Sequence, residues 1–462
     1  MSDFPLSPWS SAALAAALGL ATACGAAEAP PDAGTGPWDA AAIDAEPTRF
    51  TVGGTVTGFA GDALVLSLNG AIDLTVTTDG AFVFPGDLPE GANYEVTVAS
   101  SPSCPQRLCT ATAATGTIGA GDVTDVTVTC AVPRQRLTAN NWGERSLRLT
   151  DDLDALADNA TATPRIIAGA NVLIDQSQTD SVVTDGTRGL VYALAETNGA
   201  AAPGIMVFTQ AATITGDVGP TRRFEVALEA ELDGVALDEA ADRLYVSGSA
   251  DKVYVFDDAS TLDGTVVPTA AIDVVNPGAI DLDRQADRLY VATEGKAVHV
   301  FDDARTLTSA STPSRTMSWT VQTDFARAVA IDGCNDRLYI GLRNASSSRN
   351  VFVFDDASTQ TGVLDLALAS DAQLAVPNNQ VMSLALDSVG KLYFWGDSAQ
   401  EVHVVDDPAA LAGSVTVDPD RTVNAWSIAA TASTSAATER PRAGGHRRRA
   451  PARSTSSSSV LT

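Results

Sequence analysis

The chain has 462 residues, 45% of them apolar, and carries 57 acidic against 29 basic side chains for a formal net charge of −28. That length exceeds one ordinary domain, and the apolar fraction is enough to build real cores. So acidic a surface repels the phosphates of nucleic acid and of anionic lipid, and no internal apolar run is long enough to span a bilayer.

The first segment reads as an address. Residues 11–23, SAALAAALGLATA, are apolar and small, too short to cross a membrane, and run directly into Cys24, as a secretory h-region and its cleavage zone do. The tetrapeptide Ala21-Thr22-Ala23-Cys24 resembles a bacterial lipobox, with Ala21 where that motif usually has Leu and no Lys or Arg in residues 1–10. The resemblance implies a signal peptide over 1–23 and lipidation at Cys24. It places the protein in the bacterial cell envelope, at the outer membrane or cell surface, touching the membrane only through this anchor. Cleavage and secretion is the alternative. Residues 24–48 are rich in Ala, Pro, Gly and Asp, lack periodicity, and are expected to form a disordered tether.

Residues 49–132 show strand signals at 50–52, 63–68, 72–77, 81–84, 94–99 and 123–130. Leu64, Leu66 and Leu68, then Val126, Val128 and Cys130, alternate with the period of half-buried strands. Asn69-Gly70 and Asp79-Gly80 each lie between two such runs and predict tight hairpins with positive φ. The stretch GGTVTG…LNGAIDLTVTTDGAFVFPGDLPEGANYEVTVASSP resembles the immunoglobulin-like or prealbumin-like modules of bacterial surface proteins, which implies a small β-sandwich serving as a spacer. An exported chain is permitted disulfides. Cys109 and Cys130, at the two ends of what reads as the final hairpin, are the preferred pair, with Cys104–Cys109 as the alternative. No His precedes His299 to complete a metal site.

Residues 134–430 contain a repeated unit. GVALDEAADRLYVSGSADKVYVFDDASTL begins at Gly234, and relatives of it begin at Gly278, Ala328 and Ser383. Each copy has an inner run closing on Asp (Asp185, Asp238, Asp283, Asp332, Asp387) and then a run through Tyr192, Tyr245, Tyr290, Tyr339 or Tyr393. A Val-x-Val-Phe run follows, and a fourth strand usually comes after a proline such as Pro164, Pro220, Pro268, Pro313 or Pro419. The tyrosines recur about every fifty residues, a propeller-like period. Proline lacks the ladder donor and so marks a strand start or an outer edge. The first copy lacks an inner strand, and residues 426–429 look like an inner strand without a blade, so the late strand is expected to close the ring. The pattern resembles NHL-like and YVTN-type propellers. The implied fold is all-β: a small β-sandwich followed by a six-bladed β-propeller of four-stranded blades, or a truncated seven-bladed one. Such folds host lactonases, lyases, ligand-binding modules and adhesins, so the resemblance leaves function open.

The pairs Asp257-Asp258, Asp302-Asp303, Asp355-Asp356 and Asp406-Asp407 are oxygen-rich enough to hold Ca²⁺. Their recurrence in every copy points instead to turn formers, each carboxylate accepting backbone N–H groups of the single helical turn that follows. The strand-closing aspartates read the same way. His299 and His403 share their repeat position with Tyr254 and Phe352, which is a packing pattern for any flat ring. Cys334, in a blade turn, reads as a free thiol. No nucleophile motif, phosphate loop or metal-spaced cluster stands out, so no catalytic residue, cofactor or metal ligand is assigned. The expected protein is a monomeric envelope lipoprotein that offers a protein or glycan ligand the loops around 247–251, 343–350 and 395–400. The alternative is a lactonase-like hydrolase with a divalent metal held by inner-strand carboxylates at the central channel. Residues 431–462, with six Arg, one Glu and no aromatic, read as a frameshift product of a GC-rich gene or as a disordered basic tail.

Overall fold

The computed structural model describes residues 46–133, 136–141, 146–151, 164–169, 172, 181–195, 203–226, 231–320, 325–343, 350–364, 366, 370–375, 381, 383–395, 401–416, 421–424 and 429–432. The signal, Cys24 and most of the tether and tail lie outside these residues. Arg49–Thr462 forms one compact unit, and Met1–Thr48 another.

Two four-stranded sheets come first. One is ordered Gly80–Val83, Val52–Thr57, Val123–Ala131, Leu108–Thr112, and the other Ile72–Val76, Leu64–Leu68, Asn93–Ser100, Thr115–Thr117. Alternate side chains of both sheets, Val52, Val56, Val126 and Val128 from one and Leu64, Leu66 and Val96 from the other, share a single core. Each such side chain fully buried contributes about 1.5–3 kcal/mol. Asn69-Gly70 makes the expected hairpin, with φ of 53° and 65°. Asp79-Gly80 does not. Gly80–Val83 pairs with Val52–Thr57 in the opposite sheet, which carries Phe82 and Phe84 into the core. The Asp79 carboxylate accepts the Phe59 amide N–H at 2.7 Å and fixes this crossing. The turn signal specified a reversal; burial of the two phenylalanines selected the partner strand.

Six further sheets are built from the described residues between Arg136 and Ala432, each antiparallel from an inner strand outward. In chain order of their second strands they are as follows. The first is Ala429–Ala432, Arg136–Asn141, Ser146–Asp151, Arg165–Ala168, and the second Val182–Asp185, Leu190–Ala195, Gly204–Phe208, Arg222–Glu225. The third is Leu232–Asp238, Arg243–Gly248, Lys252–Phe256, Ala270–Asp273, and the fourth Pro277–Asp283, Arg288–Thr293, Ala297–Asp302, Arg315–Trp319. The fifth is Phe325–Asp332, Arg337–Arg343, Val351–Phe354, Ala372–Ala375, and the sixth Ser383–Leu386, Leu392–Trp395, Glu401–Val405, Arg421–Asn424. From the second sheet to the sixth, each inner strand packs beside the next. Ser383–Leu386 packs beside Ala429–Ala432, and Arg136–Asn141 beside Val182–Asp185. The sheets therefore run in a closed ring, a β-propeller, with Tyr192, Tyr245, Tyr290, Tyr339 and Tyr393 fully buried between neighbours. Closure uses Ala429–Ala432 against Leu137–Asn140 in register, slightly later in the chain than the run at 426–429.

The outer edges hold a difference from the sequence reading. Five of the six outer strands follow a proline, yet two of those five are not edges, and neither is the outer strand of the fifth sheet, which has no leading proline. Gly264–Thr265, Gly362–Leu364 and Gly413–Thr416 pair in parallel with the outer strands of the second, fourth and fifth sheets. Each comes from the following sheet's connection between its own third and fourth strands. On the first sheet a single bridge from Gly216 to Ile167 does the same. The Asp-Asp turn sends the chain sideways onto its neighbour, so each lending sheet straps the one before it and covers ladder groups that would otherwise face water.

Candidate functional site

The paired aspartates divide into two roles. In three of the pairs the first aspartate meets the arginine that opens the second strand, and in the fourth Asp406 meets Lys391 at 3.3 Å. Arg243 donates to Asp257 from Nε at 2.5 Å and from Nη2 at 3.1 Å, Arg288 reaches Asp302 at 3.1 Å, and Arg337 forks onto Asp355. Hydrogen bonding from Arg243 holds the Asp257 carboxyl below its ordinary range. For Asp302 burial pushes upward, but Arg315, at 2.9 and 3.1 Å, outweighs it and lowers the carboxyl. Arg337 continues to the carbonyl oxygens of Pro408, Ala409 and Leu411 in the next sheet, at 2.7, 2.9 and 3.2 Å.

The second aspartate is left-handed in three copies, φ 52° at Asp258, 55° at Asp303 and 51° at Asp356. Aspartate and asparagine tolerate that conformation better than other side chains with a Cβ. Asp258 and Asp303 are exposed and make no capping bond, which corrects the expectation that these carboxylates hold the turn; only Asp407 does so, accepting from Ala410 N at 3.3 Å. The capping carboxylates are Asp242, Asp287 and Asp336, one residue before each arginine, which accept from Ser260, Arg305 and Ser358 backbone N–H groups at 3.0, 3.0 and 2.9 Å. The left-handed backbone of the second aspartate points its side chain to solvent, so the turn is held from the neighbouring hairpin.

The strand-closing aspartates are committed to their own turns. Asp185 accepts Arg188 N at 2.7 Å, Asp238 accepts Ala240 N and Ala241 N at 3.1 Å, and Asp283 accepts Gln285 N and Ala286 N at 3.0 Å. Asp332 and Asp387 accept Cys334 N and Val389 N, each at 3.0 Å. Among the described residues no group of three or more His, Cys, Asp or Glu is placed to share a metal ion. His299 is half-buried with Nδ1 2.8 Å from Thr316 Oγ1, and burial lowers its pKa; His403 is buried against the Phe394 ring, centroids 5.1 Å apart. One buried carboxylate drew no attention in the sequence. Asp281, within an inner strand, accepts Leu282 N at 2.8 Å and Ile331 N of the next sheet at 2.9 Å, and burial pushes its pKa up to about 7. Its signal was available: Ala236, Ala330 and Ala385 hold the equivalent position in other copies.

The largest departure from the sequence reading is the seam between the two-sheet sandwich and the propeller. Cys334 is not a free thiol: it is bonded to Cys104, with Cα atoms 5.3 Å apart. Cys109 and Cys130 are bonded to each other, Cα atoms 4.0 Å apart, directly opposite in register. Their strands are neighbours but not a hairpin, since Thr115–Thr117 crosses to the other sheet between them. The sandwich loop 101–107 lies against the turns that follow the propeller's inner strands. Gln106 N donates to Ser388 O at 3.0 Å and Gln285 Nε2 to Ser103 Oγ at 2.8 Å. Asp62 pins the loop from behind, accepting Ser103 N at 2.9 Å and Ser103 Oγ at 2.8 Å; burial pushes its carboxyl up, but these bonds prevail and hold it at about 2. Between loop and turns lies a cavity of about 860 Å³, within the usual range for a small-molecule site. Sequence reasoning had no route to it, because Cys104 and Cys334 lie 230 residues apart and no spacing relates them.

No protein-family model and no curated protein sequence matches the chain. Among solved structures, the β-propeller domain of Cps50 (Swd1) from Myceliophteria thermophila aligns at 10% identity and TM-score 0.36, covering 53% of this chain and 70% of that one. Raptor from Chaetomium thermophilum aligns at 11% identity and TM-score 0.40 over 54% of this chain, which spans 21% of Raptor's length. Likenesses this distant add nothing to the strand order and ring contacts, which themselves define the propeller.

Proposed function

We propose that the protein is an exported, lipid-anchored interaction scaffold in which a six-bladed propeller receives a protein or glycan on the face away from the sandwich. One observation carries this reading: the sandwich loop covers the turns after the inner strands and is disulfide-bonded to one of them. Antiparallel strands reverse direction at each step, so connections between second and third strands leave from the opposite rim. Those are the connections whose length differs between copies, 249–251 and 294–296 against 344–350 and 396–400. Two disulfides support an oxidising compartment, and with it the export and anchoring at Cys24 implied by the lipobox resemblance. The immunoglobulin-like or prealbumin-like sandwich then acts as spacer and cap.

Photo-crosslinking tests the reading. A benzophenone side chain at Ala250 or Gly295, on the open rim, should capture one discrete species from envelope material, and the same probe at Ala286, on the covered side, should not. Equal capture from both faces, or none from the open rim, would sink the proposal.

A further inference from the structure

Around the seam cavity nearly every charged group has a partner within the protein. Asp332 and Asp387 use both carboxylate oxygens, the second on Asn335 Nδ2 at 2.7 Å and on Tyr393 OH at 2.9 Å respectively. Arg188 is held by Asp185 at 3.0 Å, Glu239 by Thr187 at 3.1 Å, and Asp406 by Lys391 at 3.3 Å. Arg284 gives its Nε to the Leu237 carbonyl oxygen at 3.0 Å.

Two groups differ. Asp283 is 3% exposed and commits only Oδ1, to its turn; Tyr290, the counterpart of Tyr393, makes no bond to Oδ2. Arg107, on the sandwich side, has Nε and Nη1 buried with no acceptor. Each group leaves a polar atom unused, Oδ2 of Asp283 and the Nε and Nη1 of Arg107, and the two have opposite signs and line the same space. The disulfide brings them there. Cys104 lies three residues before Arg107, and Cys334 follows Gly333, where an added Cβ would collide with the Asp283 carboxylate.

We propose that the seam cavity binds a small zwitterion, an α-amino acid or short peptide, with its ammonium group on Asp283 Oδ2 and its carboxylate on Arg107. The site is separate from the open rim and stands or falls independently of any partner there. It requires both domains, because each supplies one of the two charges.

The test is calorimetric titration of the oxidised protein with dialanine, N-acetyl-dialanine and dialanine amide. Dialanine should bind one to one, and either cap should weaken binding at least about tenfold, roughly 1.4 kcal/mol. Asp283→Asn should remove discrimination against the acetyl cap alone, and Arg107→Gln discrimination against the amide alone, with melting curves confirming that both variants fold. The capped ligands decide the matter on the unaltered protein even where a variant fails to fold. No heat with millimolar dialanine, or equal affinity for the capped forms, overturns the proposal.

Discussion

Arg337 joins its own hairpin to the next sheet through one planar group, with an aspartate on one side and three carbonyl oxygens on the other. Removing it strands those acceptors at a site where the arginine is only 7% exposed. Arg337→Ala is expected to lower stability by about 2–4 kcal/mol, and Arg337→Lys to recover less than half, because an ammonium cannot fork. Urea unfolding measures both; full rescue by lysine would refute the geometric account. Asp281 makes a pH prediction. Its folded carboxyl titrates near 7 and the unfolded one near 4, so the folded chain keeps a proton that the unfolded chain gives up in between. Stability from this group is therefore present below about pH 4 and declines as pH rises toward about 7. Asp281→Asn should lack that decline, seen by comparing unfolding midpoints at about pH 5 and about pH 8; parallel profiles would exclude the role. At this scale the sequence was half legible. Recurrence pointed to turn-forming aspartates, and the strand-closing ones do accept turn amides, but whether Asp258 or Asp242 caps the following turn depends on backbone handedness, which spacing does not encode.

The straps between sheets begin on glycine for a conformational reason. Gly264, Gly362 and Gly413 have φ of 69°, 87° and 69°, and a Cβ at any of them would meet nothing within 4 Å. Substitution there therefore costs backbone strain without a clash. Gly362→Ala should lose about 1–2 kcal/mol. Amide exchange should also quicken along Arg315–Trp319, whose Met317 lies opposite Gly362. Unchanged exchange would show that the strap does not protect that edge. Strand identity was readable because β-branched and aromatic runs follow the pleat, and prolines did precede most outer strands. Partner choice was less so: Asp79-Gly80 and the parallel straps both join segments through the demands of distant packing, which no local dipeptide records.

For the whole molecule, the repeat announced the propeller and the cysteine spacing did not announce the seam. Replacing Cys104 and Cys334 together by Ser releases a cross-link closing a 230-residue separation, with an expected loss of about 2–5 kcal/mol. The sharper readout is proteolysis. Arg107 should become a trypsin site in the double variant and stay resistant in the oxidised protein; identical digestion patterns would mean that noncovalent contacts alone hold the loop.

Ring closure also imposes a timetable. Arg136–Asn141 must wait for Ala429–Ala432, its partner strand nearly three hundred residues downstream. At roughly 5–20 residues per second of synthesis, that delay is on the order of 15–60 s, during which one side of the strand stays unpaired. A chain interrupted before Ala429 would keep that side open permanently and offer it to any extended neighbour. Ala429–Ala432 thus acts as a check on completion of the ring, since only a chain that reaches it can seal the strand Arg136–Asn141.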